Sequence, residues 1–226
     1  AARGPPRHRR AGAMRVRAGG RRRMISLYAI KPGFQNLLRP LARWLHGRGV
    51  TANQVTLAAL FLSLAAGGAV WLWPAPETVL LLPPVLLLRM ALNALDGMLA
   101  REFQGPTPLG AILNELGDVL ADAGLYLPLA LLSGVSPVAV VALVLLALSS
   151  EFCGVLAVMI GASRRYDGPM GKSDRALLLG AIALWLSFGG PGGGWLTVAL
   201  WVANVLLALT GFNRLRGALR EVNSCP

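Results

Sequence analysis

Six long apolar runs, near 55–73, 79–100, 109–132, 137–162, 173–189 and 195–212, dominate this chain of 226 residues. Most approach the roughly 20 residues that an α-helix needs to cross the hydrocarbon of a bilayer. A hydrophobic fraction of 55 % against only 14 % charged residues fits lipid better than water as the solvent of the folded chain. The fifth run is short, so its ends are the least defined. No repeat or second domain is visible, and residues 24–226 read as one all-α membrane bundle of six transmembrane helices.

The formal charge of +12 raises the question of nucleic acid, but nine arginines fall in residues 1–23, where no acidic residue stands. The remainder, 24–226, holds 13 basic and 10 acidic residues, so the charge belongs to a tail rather than a binding face. That tail is rich in Gly, Pro and Arg without apolar periodicity, which predicts a disordered basic extension or a translated upstream extension with Met24 as the true start. No apolar core and small-residue cleavage site follow its arginines, which excludes a signal peptide. Cys153 lies within an apolar run and Cys225 near the terminus, a pattern that excludes a disulfide framework.

Basic residues mark cytoplasmic loops. Lys31, Arg39, Arg43 and Arg48 precede the first run, Arg101 lies between the second and third, and Arg164, Arg165, Lys172 and Arg175 lie between the fourth and fifth. Arg214, Arg216 and Arg220 follow the sixth. The connections 73–78, 133–137 and 189–194 carry no basic residue. Six crossings with both termini and the polar hairpin facing the cytoplasm satisfy every loop. Before the first crossing, Phe34, Leu37, Leu38, Leu41, Trp44 and Leu45 recur at helical spacing around Arg39 and Arg43, which predicts an amphipathic interfacial helix over about 33–47. Gly47 and Gly49 followed by Thr51 predict a break and a fresh N-cap.

Ionisable residues inside apolar spans are costly and are functional candidates by default. They concentrate between 89 and 122, where Asn93, Asp96, Gly97, Ala100 and Arg101 share one helical face, and Gly110, Asn114, Asp118 and Asp122 share another. A short Gly/Pro turn joins the two helices. Asp96 and Asn114 are each nine residues from position 105, and Asn93 and Asp118 are twelve and thirteen, so the hairpin turns two oxygen-bearing pairs toward each other. Carboxylates converging in a membrane repel unless a cation joins them, and an oxygen-only set suits a hard ion, Mg²⁺ or Mn²⁺. Gly97 and Ala100 leave room for a ligand to approach the helix backbone.

This pattern resembles the CDP-alcohol phosphotransferase family, whose signature is D-x2-D-G-x2-A-R-x8-G-x3-D-x3-D. Here it reads Asn93-x2-Asp96-Gly97-x2-Ala100-Arg101-x8-Gly110-x3-Asn114-x3-Asp118, with asparagine at two of the four acidic positions. The resemblance covers nearly all of 24–226 and includes VTANQVT at 50–56. It implies that Asp96, Asn93 and Asn114 ligate metal beside Asp118, that Asp118 is also the base, and that Gly97, Ala100, Arg101 and Gly110 serve the nucleotide and its phosphates. The implied reaction moves a phosphatidyl group from CDP-diacylglycerol to a small alcohol in a bacterial inner membrane, with release of CMP and a homodimer as the assembly. Glu115 and Asp122 share a face with Asp118 and are candidates to restore the charge that the asparagines omit.

Two readings of Arg164 and Lys172 compete: a pocket for a phosphorylated acceptor, or ordinary anchoring at the inner surface. GPMGKS at 168–173 is not a Walker loop, since Tyr166 stands where its leading glycine would fall. Glu151 and Arg89 each have a cavity-lining and a pairing or snorkelling alternative. His46 reads as an interfacial side chain, and the small run Ala65 to Ala69 as close helix packing. A metal or ion transporter would spread polar residues through several spans, whereas here they gather in one hairpin plus Glu151. A nucleotide-binding relative without turnover is the remaining alternative that the two asparagines leave open.

Overall fold

The computed structural model describes residues 31–224; the basic extension 1–23, Met24 and Cys225 lie outside the described residues. Eight α-helices follow in order: α1 (Lys31–Gly47), α2 (Ala52–Leu72), α3 (Pro76–Val79), α4 (Leu82–Leu99), α5 (Pro108–Tyr126), α6 (Pro137–Met159), α7 (Lys172–Ser187) and α8 (Gly194–Ser224). A π-helical turn, Ala100–Gln104, continues α4, and a 3₁₀ turn, Leu127–Leu131, continues α5. No strand occurs among the described residues.

Local sequence places the boundaries. Gly49, at φ 77°, takes the left-handed turn that ends α1. Thr51 then opens α2 with a reciprocal cap: its Oγ1 accepts from Gln54 N at 3.2 Å, while Gln54 Oε1 accepts from Thr51 N at 2.9 Å. Thr107 and Ser136 cap α5 and α6 from the residue before an N1 proline, whose missing N–H costs the first turn nothing. The break anticipated from Gly47, Gly49 and Thr51 is therefore present.

Four stretches are long and apolar enough to cross a membrane: Ala52–Leu72, Pro76–Gln104, Pro137–Met159 and Gly194–Ser224. The other two apolar runs are helices as well, but α5 holds Glu115, Asp118 and Asp122, and α7 has only 16 residues. By length and composition alone the six-crossing count is not reached. The core unites α2, α4, α5, α6, α7 and α8 around Leu86, Leu125, Tyr126, Leu143, Leu179 and Leu200. Outside it, Phe61, Leu72, Leu87, Ile112, Leu145 and Phe212 are exposed, an apolar exterior suited to hydrocarbon. α1 packs against α4, and a smaller cluster joins Ala42 of α1 and Val55 of α2 to Leu95, Met98 and Leu99 of α4.

Candidate active site

The α4–α5 hairpin brings its polar faces together, with help from helices on either side. Asp96 is 5 % exposed, and its Oδ2 accepts from Thr56 Oγ1 at 2.8 Å, so α2 supplies the hydrogen bond that holds this carboxylate. Asp118 is half-buried and carries three contacts on Oδ1: the Lys172 ammonium, Asn93 Nδ2 at 3.3 Å, and Arg89 Nη2 at 3.6 Å. The expected pairing of Asn93 with Asp118 across the hairpin is thus present, and Asp96 takes its side-chain hydrogen bond from α2. Asn114 is half-buried on α5, one turn before Asp118.

Behind this face runs a buried ionic network. Asp122, 3 % exposed, accepts from Arg89 Nη1 at 2.5 Å on one oxygen and from Arg175 Nη2 at 2.7 Å on the other. Arg175 also donates to Glu151 at 3.1 Å, and Glu151 lies within 3.3 Å of both Arg164 and Arg214. Arg164 closes the path by a two-point bond to Glu115, at 2.5 and 2.6 Å. The Glu115 carboxylate raises the Arg164 guanidinium above its ordinary pKa although burial opposes this. The network joins α4, α5, α6, α7, α8 and the 160–171 loop, and every carboxylate in it has at least one arginine.

These placements resolve several sequence alternatives. Glu115 and Asp122 do share α5 with Asp118, but the structure gives both of them arginine partners. Glu151 pairs with neighbouring elements, Arg89 is buried beside Asp118 rather than snorkelling, and His46 stacks on Phe103 with ring centroids 4.8 Å apart. Arg101 is exposed and lies back across Gly97: a Cβ added there would sit 3.0 Å from its guanidinium. Ala100 starts the π-helical turn, and Gly110 leaves 3.0 Å between its would-be Cβ and Asn53 Oδ1 of α2. Sequence reasoning missed Thr56 and Asn53 as neighbours of the site, although both lie in the segment VTANQVT.

Among the described residues no three His, Cys, Asp or Glu side chains gather into a group able to hold a metal. The oxygen donors present are the Asp96 and Asp118 carboxylates and the amide carbonyls of Asn93 and Asn114. That set fits a hard divalent cation, with less negative charge than four carboxylates would bring.

A family model described as CDP-alcohol phosphatidyltransferase matches residues 49–212, the stretch that contains α2, the hairpin and α7. The chain belongs to the CDP-alcohol phosphatidyltransferase family. It is a transferase of phospholipid biosynthesis. Inner membrane protein YnbA of Escherichia coli (strain K12) is 49 % identical over 195 residues, covering 86 % of this chain and 97 % of that protein. Archaetidylinositol phosphate synthase of Aeropyrum pernix is 32 % identical over 130 residues, 58 % of this chain and 64 % of that protein. The fold is similar to Mycobacterium tuberculosis phosphatidylinositol phosphate synthase solved with CDP-DAG bound, with a TM-score of 0.66 and 23 % identity over 83 % of this chain and 94 % of that one. The same synthase in complex with manganese and citrate gives a TM-score of 0.66 and 23 % identity over 80 % and 88 % of the two chains.

Proposed function

We propose that this phosphatidyltransferase takes CDP-diacylglycerol as its donor and passes the phosphatidyl group to a small alcohol, releasing CMP at the cytoplasmic side of a bacterial inner membrane. The observation that carries the reading is the convergence on the half-buried Asp118 Oδ1 of Lys172, Asn93 and Arg89, together with the buried carboxylate of Asp96. The relative named as an inner membrane protein and the synthase solved with CDP-DAG support the location and the donor.

In the proposed reaction the acceptor oxygen forms a bond to the lipid-bearing phosphorus as the bond from that phosphorus to the bridging oxygen breaks. The bridging oxygen leaves on CMP with the electron pair. Asp118 takes the proton of the acceptor hydroxyl, and Lys172, in contact with its Oδ1, orients that carboxylate. Arg101 reaches phosphate oxygens across Gly97, where a larger side chain would crowd the guanidinium. A divalent ion, Mg²⁺ or Mn²⁺, held by Asp96 and Asp118 with the carbonyls of Asn93 and Asn114, would supply charge neutralisation at the pyrophosphate. A site within helix ends lets the donor's acyl chains stay in hydrocarbon while its headgroup enters.

The acceptor has a second reading, in which it is a phosphorylated alcohol. Buried N–H groups favour it: Arg164 Nη1, Arg175 Nε and Nη1, and Arg214 Nε find no acceptor among the described residues, and unpaired buried donors are costly. Membranes holding the protein, fed labelled CDP-diacylglycerol with a panel of alcohols and their phosphates, test both points by CMP release. The wild type is expected to release CMP with one acceptor of the panel, and Asp118→Asn to release at least about a hundredfold less. Equal release by both proteins would remove Asp118 from catalysis, and release by neither would leave the relative without turnover.

A further inference from the structure

Gln104 ends the π-helical turn that follows α4 and lies outside the charge network. Its Nε2 donates to Val50 O at 2.8 Å and its Oε1 accepts from Ala52 N at 2.9 Å. The two partners fix which end of the amide is which, since a carbonyl takes only a donor and an N–H only an acceptor. Ala52 is the first residue of α2, so its N–H is one of the orphan donors at a helix start, and a residue 52 positions away in sequence caps it.

The two residues before Gln104 reach the same region. Glu102 takes Arg39 Nη2 of α1 at 3.1 Å, and Phe103 stacks on His46. Three consecutive side chains of the π-helical turn therefore hold the α1–α2 hinge. What they align is specific: the first turns of α2 carry Asn53, beside Gly110, and Thr56, on Asp96. The other end of the turn carries Arg101, folded over Gly97. π-helical turns recur where a helix is reshaped for function.

We infer that Gln104 is a positioning residue for the donor's CDP group: its two-ended bond fixes the first turn of α2 against the end of α4, and with it the seating of Thr56 on Asp96 and of Asn53 beside Gly110. This rests on the donor reading above. It acts through Arg101 and the α2 terminus and touches no reacting atom.

The test is calorimetric titration of CDP with Mg²⁺ into the full chain in detergent micelles, for the wild type, Gln104→Ala and Gln104→Glu, each with a thermal unfolding curve. Gln104→Ala is expected to weaken CDP binding about tenfold and to lower the midpoint by no more than about 6 °C, the size of two lost net hydrogen bonds. Gln104→Glu keeps the acceptor for Ala52 N at a helix start that favours negative charge, and is expected to lose only about threefold. In CMP release, the rise should appear in KM for CDP-diacylglycerol while kcat is retained. Binding by Gln104→Ala within twofold of the wild type overturns the proposal, as does equal weakening by both variants together with a midpoint lowered by more than about 6 °C, which marks fold damage. If Gln104→Ala yields no folded protein, Gln104→Glu decides on the same twofold criterion. A wild type that binds no CDP overturns the donor reading and this inference with it, a result separable from normal wild-type binding that Gln104→Ala leaves unchanged.

Discussion

Asp122 holds two arginines that are 2 % and 1 % exposed, so removing its charge leaves each buried with one longer carboxylate contact, Arg89 to Asp118 at 3.6 Å and Arg175 to Glu151 at 3.1 Å. Asp122→Asn is expected to cost about 3–5 kcal/mol, the range for breaking a buried pair by taking one partner away. Glu102→Gln, at the ion pair with Arg39 where both side chains are more than a third exposed, is expected to cost less than about 1 kcal/mol. Thermal unfolding of the two variants in micelles checks the contrast; similar midpoints would mean that the network is not a stability element. Lys172→Met leaves the Asp118 carboxylate with Asn93 and Arg89 alone, and CMP release should fall about ten- to a hundredfold at a midpoint close to the wild type. At this scale the sequence shows which residues face each other within one hairpin, because a period of 3.6 puts Asn93, Asp96, Asn114 and Asp118 on two faces. It does not show Thr56 on Asp96 or Arg175 on Asp122, because those pairs are 40 and 53 residues apart and exist only once α2 and α7 have packed. The same gap explains Asp122: its spacing places it with Asp118, while both of its oxygens belong to arginines of other helices.

Between α2 and α5, small residues set the distance. A Cβ on Gly67 would lie 1.9 Å from Gly124 O and 2.7 Å from its carbonyl carbon, and backbone cannot yield as a side-chain tip does. Gly67→Ala therefore forces the two helices apart along the seam that also sets Thr56 of α2 against Gly117 of α5, where a Cβ would lie 3.6 Å from Thr56 Cγ2, and a loss of at least about 2 kcal/mol is expected with lowered CMP release. Gly68→Ala, one position on, meets nothing within 4 Å and is expected to be neutral to within about 0.5 kcal/mol. Thermal melts with release assays on the pair decide the matter, and tolerance of Gly67→Ala would mean that the seam is looser than described. The run from Ala65 to Ala69 announces close packing in the sequence; which of its glycines touches a neighbour depends on the rotation of α2 and becomes visible only in the fold. The π-helical turn was illegible for a different reason. Apolar periodicity distinguishes helix from strand, but a single widened turn over Ala100–Gln104 leaves the pattern on either side intact.

For the molecule as a whole, four stretches among the described residues qualify as crossings by length and composition, and α5 and α7 pack among them. α5 carries Glu115, Asp118 and Asp122, yet each has a cationic partner within the bundle, so the hydrocarbon does not meet bare charge. α7 is short, at 16 residues or roughly 24 Å, but it packs against α4 and its Arg175 is buried in the network. α8, at 31 residues or roughly 46 Å, exceeds the hydrocarbon thickness, which leaves its end, with Arg216 and Arg220 exposed, beyond the membrane. Tertiary pairing of this kind, which hydropathy does not count, would let both helices that fall short cross as well. Counting all six as crossings puts Arg101, the Arg164–Arg175 region and Arg214, Arg216 and Arg220 on one side, and the lysine- and arginine-free connections 73–78, 133–137 and 189–194 on the other. Alkaline phosphatase, active only outside the cytoplasm, is accordingly expected to be active when fused after Gly134 or Gly190 and silent after Gly105, Ser163 or Ser224. If α7 did not cross, the connection after it would stay on the side of the 160–171 loop. A silent fusion after Gly190 with an active one after Gly134 would show that, and would move Lys172 away from the depth at which Asp118 needs it.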